Sequence, residues 1–351
     1  MSAQALLRKL AFTTVAGLAG LVLVEATAWG LEQLKPHHDA LLPVPAAHGN
    51  QAVPHEVWQR FARTDDVQIE LTAGDDNPWD LPSDRVVRQG SKLCRINSLG
   101  LRGPELEPGG DRLMTTGDSS IFGFGVEEDE VLSHVAAAEL STALGRPVVA
   151  VNGGVPGYTA WMSCTKLERV IDQVDPTWLV IGNLWSDLAY GPEEEVRPKP
   201  HALQRLATFR LAVDLLGPWL SPRQISWVDP AALGQQEARA GRLAAYEKEL
   251  TTMARMASER GAWPLFLALP APVDFDTRQL PFLVRAYRAA MRDVAARFDA
   301  PYLDGAGTFA EHGADLGYFF DAVHPSPRGH ALLGQLLADA IASDARYSRT
   351  Q

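Results

Sequence analysis

The segment MTTGDSSIFGFGV, residues 114–126, decides how the rest of the chain is interpreted. It continues an apolar, β-prone run that begins at Arg112 and ends abruptly in Gly117-Asp118-Ser119-Ser120. A buried strand, a turn of small residues and then a helix is how an α/β protein presents a side chain at the carboxyl end of a parallel strand. The segment therefore predicts such a unit and leaves two roles for Ser119, helix capping and nucleophilic catalysis.

Apolar strands alternate with amphipathic helices from residue 111 onward. Strands that are almost entirely apolar are typical of a parallel sheet covered on both faces. The pattern therefore predicts an α/β fold, a three-layer, doubly wound (flavodoxin-like) domain with a mostly parallel five-stranded sheet. The expected strands are 112–116, 147–151, 177–183, 264–269 and 301–304, and the expected helices are 130–144, 159–173, 235–260, 279–298 and about 326–342.

Composition divides the chain into three regions. Residues 1–34 hold an apolar run, residues 35–110 are rich in Pro, Gly, His and Asp, and residues 111–345 hold the predicted α/β domain. The middle region predicts a linker and a β- and loop-rich lead-in packed on the main domain, because it has too few apolar residues for its own core. Within the main domain, residues 191–235 form a long insertion, and connections of this length are usually functional.

The N-terminal region is typical of an export segment. Arg8 and Lys9 precede the apolar run Leu10–Val24, and Glu25 interrupts it. A signal peptide would be cleaved after residue 28, whereas a signal anchor would stay in the inner membrane with its basic residues in the cytoplasm. Trp29, at the expected interface, favours the anchor. Both interpretations predict an extracytoplasmic main domain, anchored on the periplasmic face or secreted; a buried helix is the alternative.

Charge and cysteine content exclude several classes of protein. The formal net charge of −11 argues against a nucleic-acid partner, because phosphate binding requires a basic surface. Two cysteines, Cys94 and Cys164, are too few for a disulfide scaffold or a four-cysteine zinc site. Whether they form one disulfide stays open at this point, as does the oligomeric state.

Polar residues follow the predicted strands at their carboxyl ends. Ser119 follows the first strand, the glycine-rich loop Asn152–Gly157 the second, and Asn183–Asp187 the third; a loop with Asp321 and His324 comes near the end of the domain. The carboxyl ends of parallel strands meet at one edge of a sheet, so these groups can converge there. A hydroxyl nucleophile, a base to take its proton, a group to orient the base and donors for an oxyanion are what serine hydrolysis needs.

The chain resembles the SGNH (GDSL-type) hydrolase superfamily of serine esterases and acyl-hydrolases over about residues 110–342. Four segments carry the resemblance in the family's order: Gly117-Asp118-Ser119, VVAVNGGVPGYT (148–159), PTWLVIGNLWSD (176–187) and DAVHPSPRGHALLG (321–334). The Gly-x-Ser-x-Gly elbow of the α/β-hydrolases does not fit, because Ile121 stands at the position of its final Gly.

The resemblance implies a role for each residue of a catalytic triad. Ser119 would be the nucleophile, His324 the general base and then acid, and Asp321 the carboxylate that orients His324. It implies no metal or organic cofactor. The alternative is structural: Ser119 would cap the helix that follows, Asp321 would cap the terminal helix, and His324 would be a surface histidine. Asp118 is expected to bond backbone groups of its turn.

The resemblance also implies an oxyanion hole, with one departure from the family. Two donors would be the backbone N–H groups of Ser119 and Gly157. The family's third segment normally ends in Gly-x-Asn-Asp, whose Asn side chain is the third donor. Here Ser186 stands in place of that Asn, and Asn183 lies three residues earlier, so either Ser186 or Asn183 would take over its role.

The function implied is ester hydrolysis on an acylated small molecule, lipid or polysaccharide outside the cytoplasm. Two alternatives remain. An O-acyltransferase would use the same triad to pass the acyl group to a glycan. A degenerate, non-catalytic member would bind glycans or take part in assembly, an alternative that the altered third segment keeps open.

Overall fold

The computed structural model describes residues 20, 22–27, 71–72, 76–89, 92–190, 208, 236–275 and 282–344. The chain divides into two compact units, one of residues 1–38 and 197–225, the other of residues 39–196 and 226–351. In the first unit, the carboxylate of Glu25 accepts hydrogen bonds from the N–H (3.2 Å) and the hydroxyl (2.7 Å) of Thr208. The insertion predicted at 191–235 otherwise lies outside the described residues.

The export segment predicted at residues 1–34 also lies mostly outside the described residues, although 20 and 22–27 are helical. Across the ranges that the structure does describe, no helix combines the length and the apolar character needed to cross a membrane. Anchoring, cleavage and localisation stay predictions.

A parallel five-stranded sheet forms the centre of the second unit. Strands β3 to β7 stand in the order β4-β3-β5-β6-β7, which is the flavodoxin-like doubly wound order, and the predicted α/β fold is confirmed. Strands β1 and β2 form a separate antiparallel hairpin, the β-rich part of the lead-in. The strands are β1 (Arg85–Gln89), β2 (Lys92–Ile96), β3 (Asp111–Gly117), β4 (Val148–Asn152), β5 (Trp178–Gly182), β6 (Trp263–Ala268) and β7 (Tyr302–Asp304).

Helices cover both faces of this sheet. Helices α2 and α8 pack against each other, and α5 packs against both α3 and α6. The helices are α1 (Ser119–Phe122), α2 (Leu132–Leu144), α3 (Ala160–Val174), α4 (Trp185–Tyr190), α5 (Gln236–Glu259), α6 (Phe282–Arg297), α7 (Gly305–Glu311) and α8 (Pro327–Ser343).

The sheet order places a switch point between β3 and β5. From β3 the chain winds to β4 on one side, and from β5 it winds to β6 and β7 on the other. Ligands of doubly wound proteins bind beyond the carboxyl ends of the strands at such a point. Every residue of β5 is buried, which explains its uniformly apolar sequence.

The two cysteines are buried and not paired with each other. Cys94 lies on β2, where its Sγ is 3.2 Å from Gln89 Oε1, and Cys164 lies on α3. Burial raises the pKa of both thiols. Since both cysteines are free, the described structure does not contain the disulfide that the sequence left open.

Candidate active site

Asp118, rather than Ser119, caps the short helix that follows β3. Its Oδ1 accepts the N–H of Ser120 (3.0 Å), and its Oδ2 accepts the N–H of Ser186 (3.2 Å). Burial raises the pKa of the Asp118 carboxyl, and these hydrogen bonds oppose the rise. The carboxylate joins the turn after β3 to the start of α4, and the hydroxyl of Ser119 is left without a capping role.

Ser119, His324 and Asp321 form one hydrogen-bonded line. Ser119 Oγ lies 2.7 Å from His324 Nε2, and His324 Nδ1 lies 2.6 Å from Asp321 Oδ2. An ionised carboxylate only accepts hydrogen bonds, so Nδ1 carries the proton and Nε2 can accept the hydroxyl of Ser119. Within residues 112–124, every residue except Ser119 is buried. Ser119 is thus the most exposed residue of this stretch.

Asp321 organises the loop of His324 and does not cap a helix. One oxygen accepts the N–H groups of Val323 (2.9 Å) and His324 (2.8 Å), and the other meets the imidazole. The cap of α8 is Ser326, whose hydroxyl accepts the N–H of Gly329. The capping alternative for Asp321 is therefore wrong, as it is for Ser119.

The carboxylate of Asp321 strengthens the affinity of the His324 imidazole for a proton. Burial disfavours the charged forms of both His324 and Asp321, but their mutual attraction and hydrogen bond outweigh it. The pKa of His324 is raised above its usual value, and the pKa of Asp321 is lowered. The ring of Phe124 packs over His324 with centroids 4.7 Å apart, and Ser120 Oγ donates to Val323 O (3.1 Å). These contacts hold the imidazole against the nucleophile turn.

Arg102 and Asn152 hold the carbonyl end of α1, a function that the sequence did not indicate. Arg102 is buried and donates to the carbonyls of Phe122, Gly123 and Val126 at 2.7–2.8 Å. Asn152 Nδ2 donates to the carbonyls of residues 121 and 122 at 3.1 Å. Because carbonyls at a helix end lack intrahelical partners, these contacts fix the turn that carries Ser119.

The loop after β4 runs along the nucleophile turn. The N–H of Val155 donates to the carbonyl of Gly117 at 3.1 Å. A Cβ on Gly154 would lie 2.3 Å from the backbone N of Phe122, so only glycine fits there. The close approach brings the predicted oxyanion loop beside Ser119.

Gly157 is the accessible point of that loop. Within residues 151–160 it is the only residue that is not buried, and its φ of +80° is one that glycine adopts freely. Among the hydrogen bonds of the described residues, none takes the backbone N–H of Gly157 or of Ser119. Both predicted donors therefore remain available to a ligand.

The two candidates for a third donor differ in burial. Asn183 is 0% exposed, and its Nδ2 donates to Ser163 Oγ at 2.9 Å. Ser186 is 6% exposed, its N–H is bonded to Asp118, and no hydrogen bond within the described part of the chain uses its hydroxyl. A side chain with no exposed surface cannot contact a substrate without rearrangement. The geometry favours Ser186.

Three other residues of the matching segments are buried and have structural contacts in place of a catalytic one. His330 is fully buried, its Nδ1 accepts the N–H of Leu132 (3.3 Å), and burial, followed by the charges of Arg102 and His324, lowers its pKa to about 3. The side chain of Trp185 lies in the core. Asp187 accepts the N–H of Ala160 (2.8 Å), and burial raises the pKa of its carboxyl well above the usual value.

Comparison with protein families gives one match. The model of the GDSL-like lipase/acylhydrolase family matches residues 115–332, which is more than half of the chain. The match begins within β3 and ends within α8, so it includes Ser119, Asp321 and His324. No curated protein sequence matches the chain.

Several solved structures are similar to the chain at low identity. A lipase/acylhydrolase from Enterococcus faecalis is 16% identical, with 66% of this chain and 95% of that chain covered and a TM-score of 0.45. A member of the lipolytic G-D-S-L family from Veillonella parvula is 15% identical, with 67% and 100% covered and a TM-score of 0.45. A catalytic mutant of an acetylxylan esterase from Geobacillus stearothermophilus is 16% identical, with 69% and 98% covered and a TM-score of 0.44.

Proposed function

Because the chain belongs to the GDSL-like lipase/acylhydrolase family, we propose that it cleaves carboxylic esters with Ser119 as the nucleophile, His324 as general base and Asp321 as the group that orients His324. The observation that carries the proposal is the hydrogen-bonded line through these three side chains, with distances of 2.7 and 2.6 Å. The line ends at Ser119, the most exposed residue of 112–124, beside the switch point of the sheet.

The proposed reaction has two halves. Ser119 Oγ attacks the acyl carbon while its proton passes to Nε2 of His324, and Asp321 stabilises the imidazolium that forms. The N–H groups of Ser119 and Gly157 donate to the oxyanion of the tetrahedral intermediate. The imidazolium then protonates the leaving alkoxide, which departs as the alcohol and leaves an acyl-enzyme. Water, deprotonated by His324, releases the acid and restores the hydroxyl of Ser119.

Hydrolysis of p-nitrophenyl acetate and butyrate tests the proposed reaction. We expect turnover well above the uncatalysed rate by the purified full-length chain, and we expect acetylated polysaccharide to be deacylated as well. If a glycan acceptor takes the acyl group faster than water does, the acyltransferase alternative holds. If glycan binds to both wild type and Ser119→Ala while no ester is turned over, the proposed hydrolysis is contradicted.

We further propose Ser186 as the third oxyanion donor. Removing its hydroxyl in Ser186→Ala is expected to lower kcat by about 10², since loss of one such donor costs roughly 10²–10³. Steady-state kinetics on p-nitrophenyl acetate measures the effect.

The matched control is Ser163→Ala, which removes the hydroxyl that holds Asn183. Its kcat is expected to stay within about threefold of wild type, a change far smaller than the loss of an oxyanion donor. The opposite pattern, with kcat lowered by Ser163→Ala and kept by Ser186→Ala, would assign the role to Asn183. Thermal unfolding of both variants shows whether either change acts through stability.

A further inference from the structure

We propose that Trp79 in the lead-in is a positioning residue for the oxyanion hole. It holds the Pro156–Gly157 peptide in the orientation that presents the Gly157 N–H to the substrate. The inference rests on the proposed function and deepens it, since it makes residues before the α/β domain part of the same site.

The first observation is a hydrogen bond to the other end of the donor peptide. Trp79 Nε1 donates to the carbonyl of Pro156 at 2.9 Å. In a planar trans peptide, the carbonyl of residue 156 and the N–H of residue 157 lie in one plane and point in opposite directions. An indole that fixes the carbonyl therefore fixes the N–H as well. A flipped peptide would lose this bond and turn its carbonyl toward the position of the oxyanion.

The bond also strengthens the donor. Hydrogen bonds that share a peptide group polarise one another, so a carbonyl that accepts from the indole leaves its N–H a better donor. The effect is largest in surroundings with little water. The neighbours of Gly157 in the loop are all buried, which fits such surroundings.

The ring of Trp79 also covers Gly157 directly. A Cβ at residue 157 would lie 3.0 Å from Cζ2 of the indole, so the ring packs against the glycine backbone. The backbone of Trp79 is held in turn, because the hydroxyl of Tyr158 donates to its carbonyl at 2.9 Å and accepts from Asn77 Nδ2 at 3.1 Å. The lead-in therefore donates one hydrogen bond to the loop, from Trp79 to Pro156, and accepts another from Tyr158 at its end.

A buried ion pair anchors the lead-in next to Trp79. The Asp80 carboxylate binds Lys166 and Arg169, both on α3, and Lys166 Nζ donates to the carbonyl of Gly100 at 2.8 Å. Lys166 and Asp80 are almost completely buried. Helix α3 begins at Ala160, three residues after Gly157. The indole and the peptide that it holds are therefore fixed to the same helix.

The test is the variant Trp79→Phe, which keeps an aromatic ring and removes the N–H. We expect kcat for p-nitrophenyl acetate to fall about tenfold with KM within about twofold; the loss stays below the roughly 10²–10³ for a deleted donor because the Gly157 N–H remains. The control is Trp161→Phe, the same change at another tryptophan packed on the same apolar cluster. Its kcat is expected to match that of wild type.

A thionoester substrate separates positioning from general damage. Sulfur accepts hydrogen bonds more weakly than oxygen, so an oxyanion hole favours the ester over the thionoester. We expect Trp79→Phe to reduce this preference and to leave the pH profile, which reports His324, unchanged. A kcat and a preference equal to those of wild type would overturn the inference.

A readout independent of turnover keeps the inference separate from the proposed function. If wild type cleaves no ester, the proposed hydrolysis is contradicted. The effect of Trp79 on the orientation of the Pro156–Gly157 peptide can still be measured. Hydrogen exchange and the ¹⁵N shift of the Gly157 amide are expected to change in Trp79→Phe and to stay constant in Trp161→Phe. An unchanged Gly157 amide in Trp79→Phe would overturn the inference on its own.

Discussion

Replacing Ser119 with alanine is expected to lower kcat for p-nitrophenyl acetate by about 10⁶, the order of loss found when a serine nucleophile of this kind is removed. The variant keeps the oxyanion donors and the cap of α1, because the cap is Asp118. We therefore expect it to fold with an intact site that lacks only the attacking oxygen. Steady-state kinetics and thermal unfolding, compared with wild type, measure the loss of activity and check the fold.

The matched control is Ser120→Ala, the neighbouring serine. Its hydroxyl donates to the carbonyl of Val323, whereas the hydrogen bond to His324 Nε2 comes from Ser119. We expect the control to lose less than about tenfold in kcat, because it removes one hydrogen bond and no reacting group. If Ser119→Ala kept turnover comparable to that of Ser120→Ala, Ser119 would not be the nucleophile.

Replacing Asp321 with asparagine is expected to lower kcat by about 10⁴, because the amide can no longer hold the imidazole with its proton on Nδ1. The change also moves the pH profile. The base must be neutral to act, so activity rises as pH increases through the pKa of His324. Burial lowers this pKa and Asp321 raises it, with the carboxylate prevailing in wild type. Without the carboxylate the pKa falls, and the remaining activity rises at lower pH than in wild type.

The measurement is kcat/KM against pH for wild type and Asp321→Asn. An exposed carboxylate, Asp172, which is paired with Arg260, provides the control. The variant Asp172→Asn is expected to keep the kcat/KM of wild type and the pH at which kcat/KM rises on the acidic side of the profile. If that rise stays at the same pH in Asp321→Asn, or moves to higher pH, the assignment of Asp321 as the partner of His324 is contradicted.

The strands and long helices were predictable because their apolar periodicity is a local signal. Each strand from β3 to β7 lies within one residue of its predicted ends, and the five long helices lie within three residues of theirs. Helices α4 and α7 were not predicted, because six or seven residues are too few to show a helical period.

The residues that hold the site were harder to predict because their partners are backbone carbonyls. Arg102 binds carbonyls about 20 residues further along the chain, and Trp79 binds one 77 residues away. Every residue has a backbone carbonyl, so the residue type of the acceptor does not indicate such a contact. Neither contact therefore corresponds to a sequence motif. The choice between Asn183 and Ser186 likewise depended on burial, which the sequence of one short loop does not show.

Residue type alone also could not decide whether Ser119 and Asp321 cap helices or belong to the catalytic site. Ser119 and Asp321 stand at positions that fit an N-cap, and residue type alone allows either role. Only the structure shows that Asp118 and Ser326 are the caps, so that the hydroxyl and the carboxylate remain for His324.

Covalent labelling of the nucleophile tests the proposed catalytic role of Ser119 directly. A p-nitrophenyl alkylphosphonate reacts with an activated serine, releases p-nitrophenol and leaves a stable phosphonyl group on the oxygen. We predict one group per chain, found by peptide mass spectrometry on Ser119, with labelling strongly slowed in His324→Ala. A label on another residue, or ester turnover that continues while Ser119 stays unlabelled, would contradict the role of Ser119 as the nucleophile.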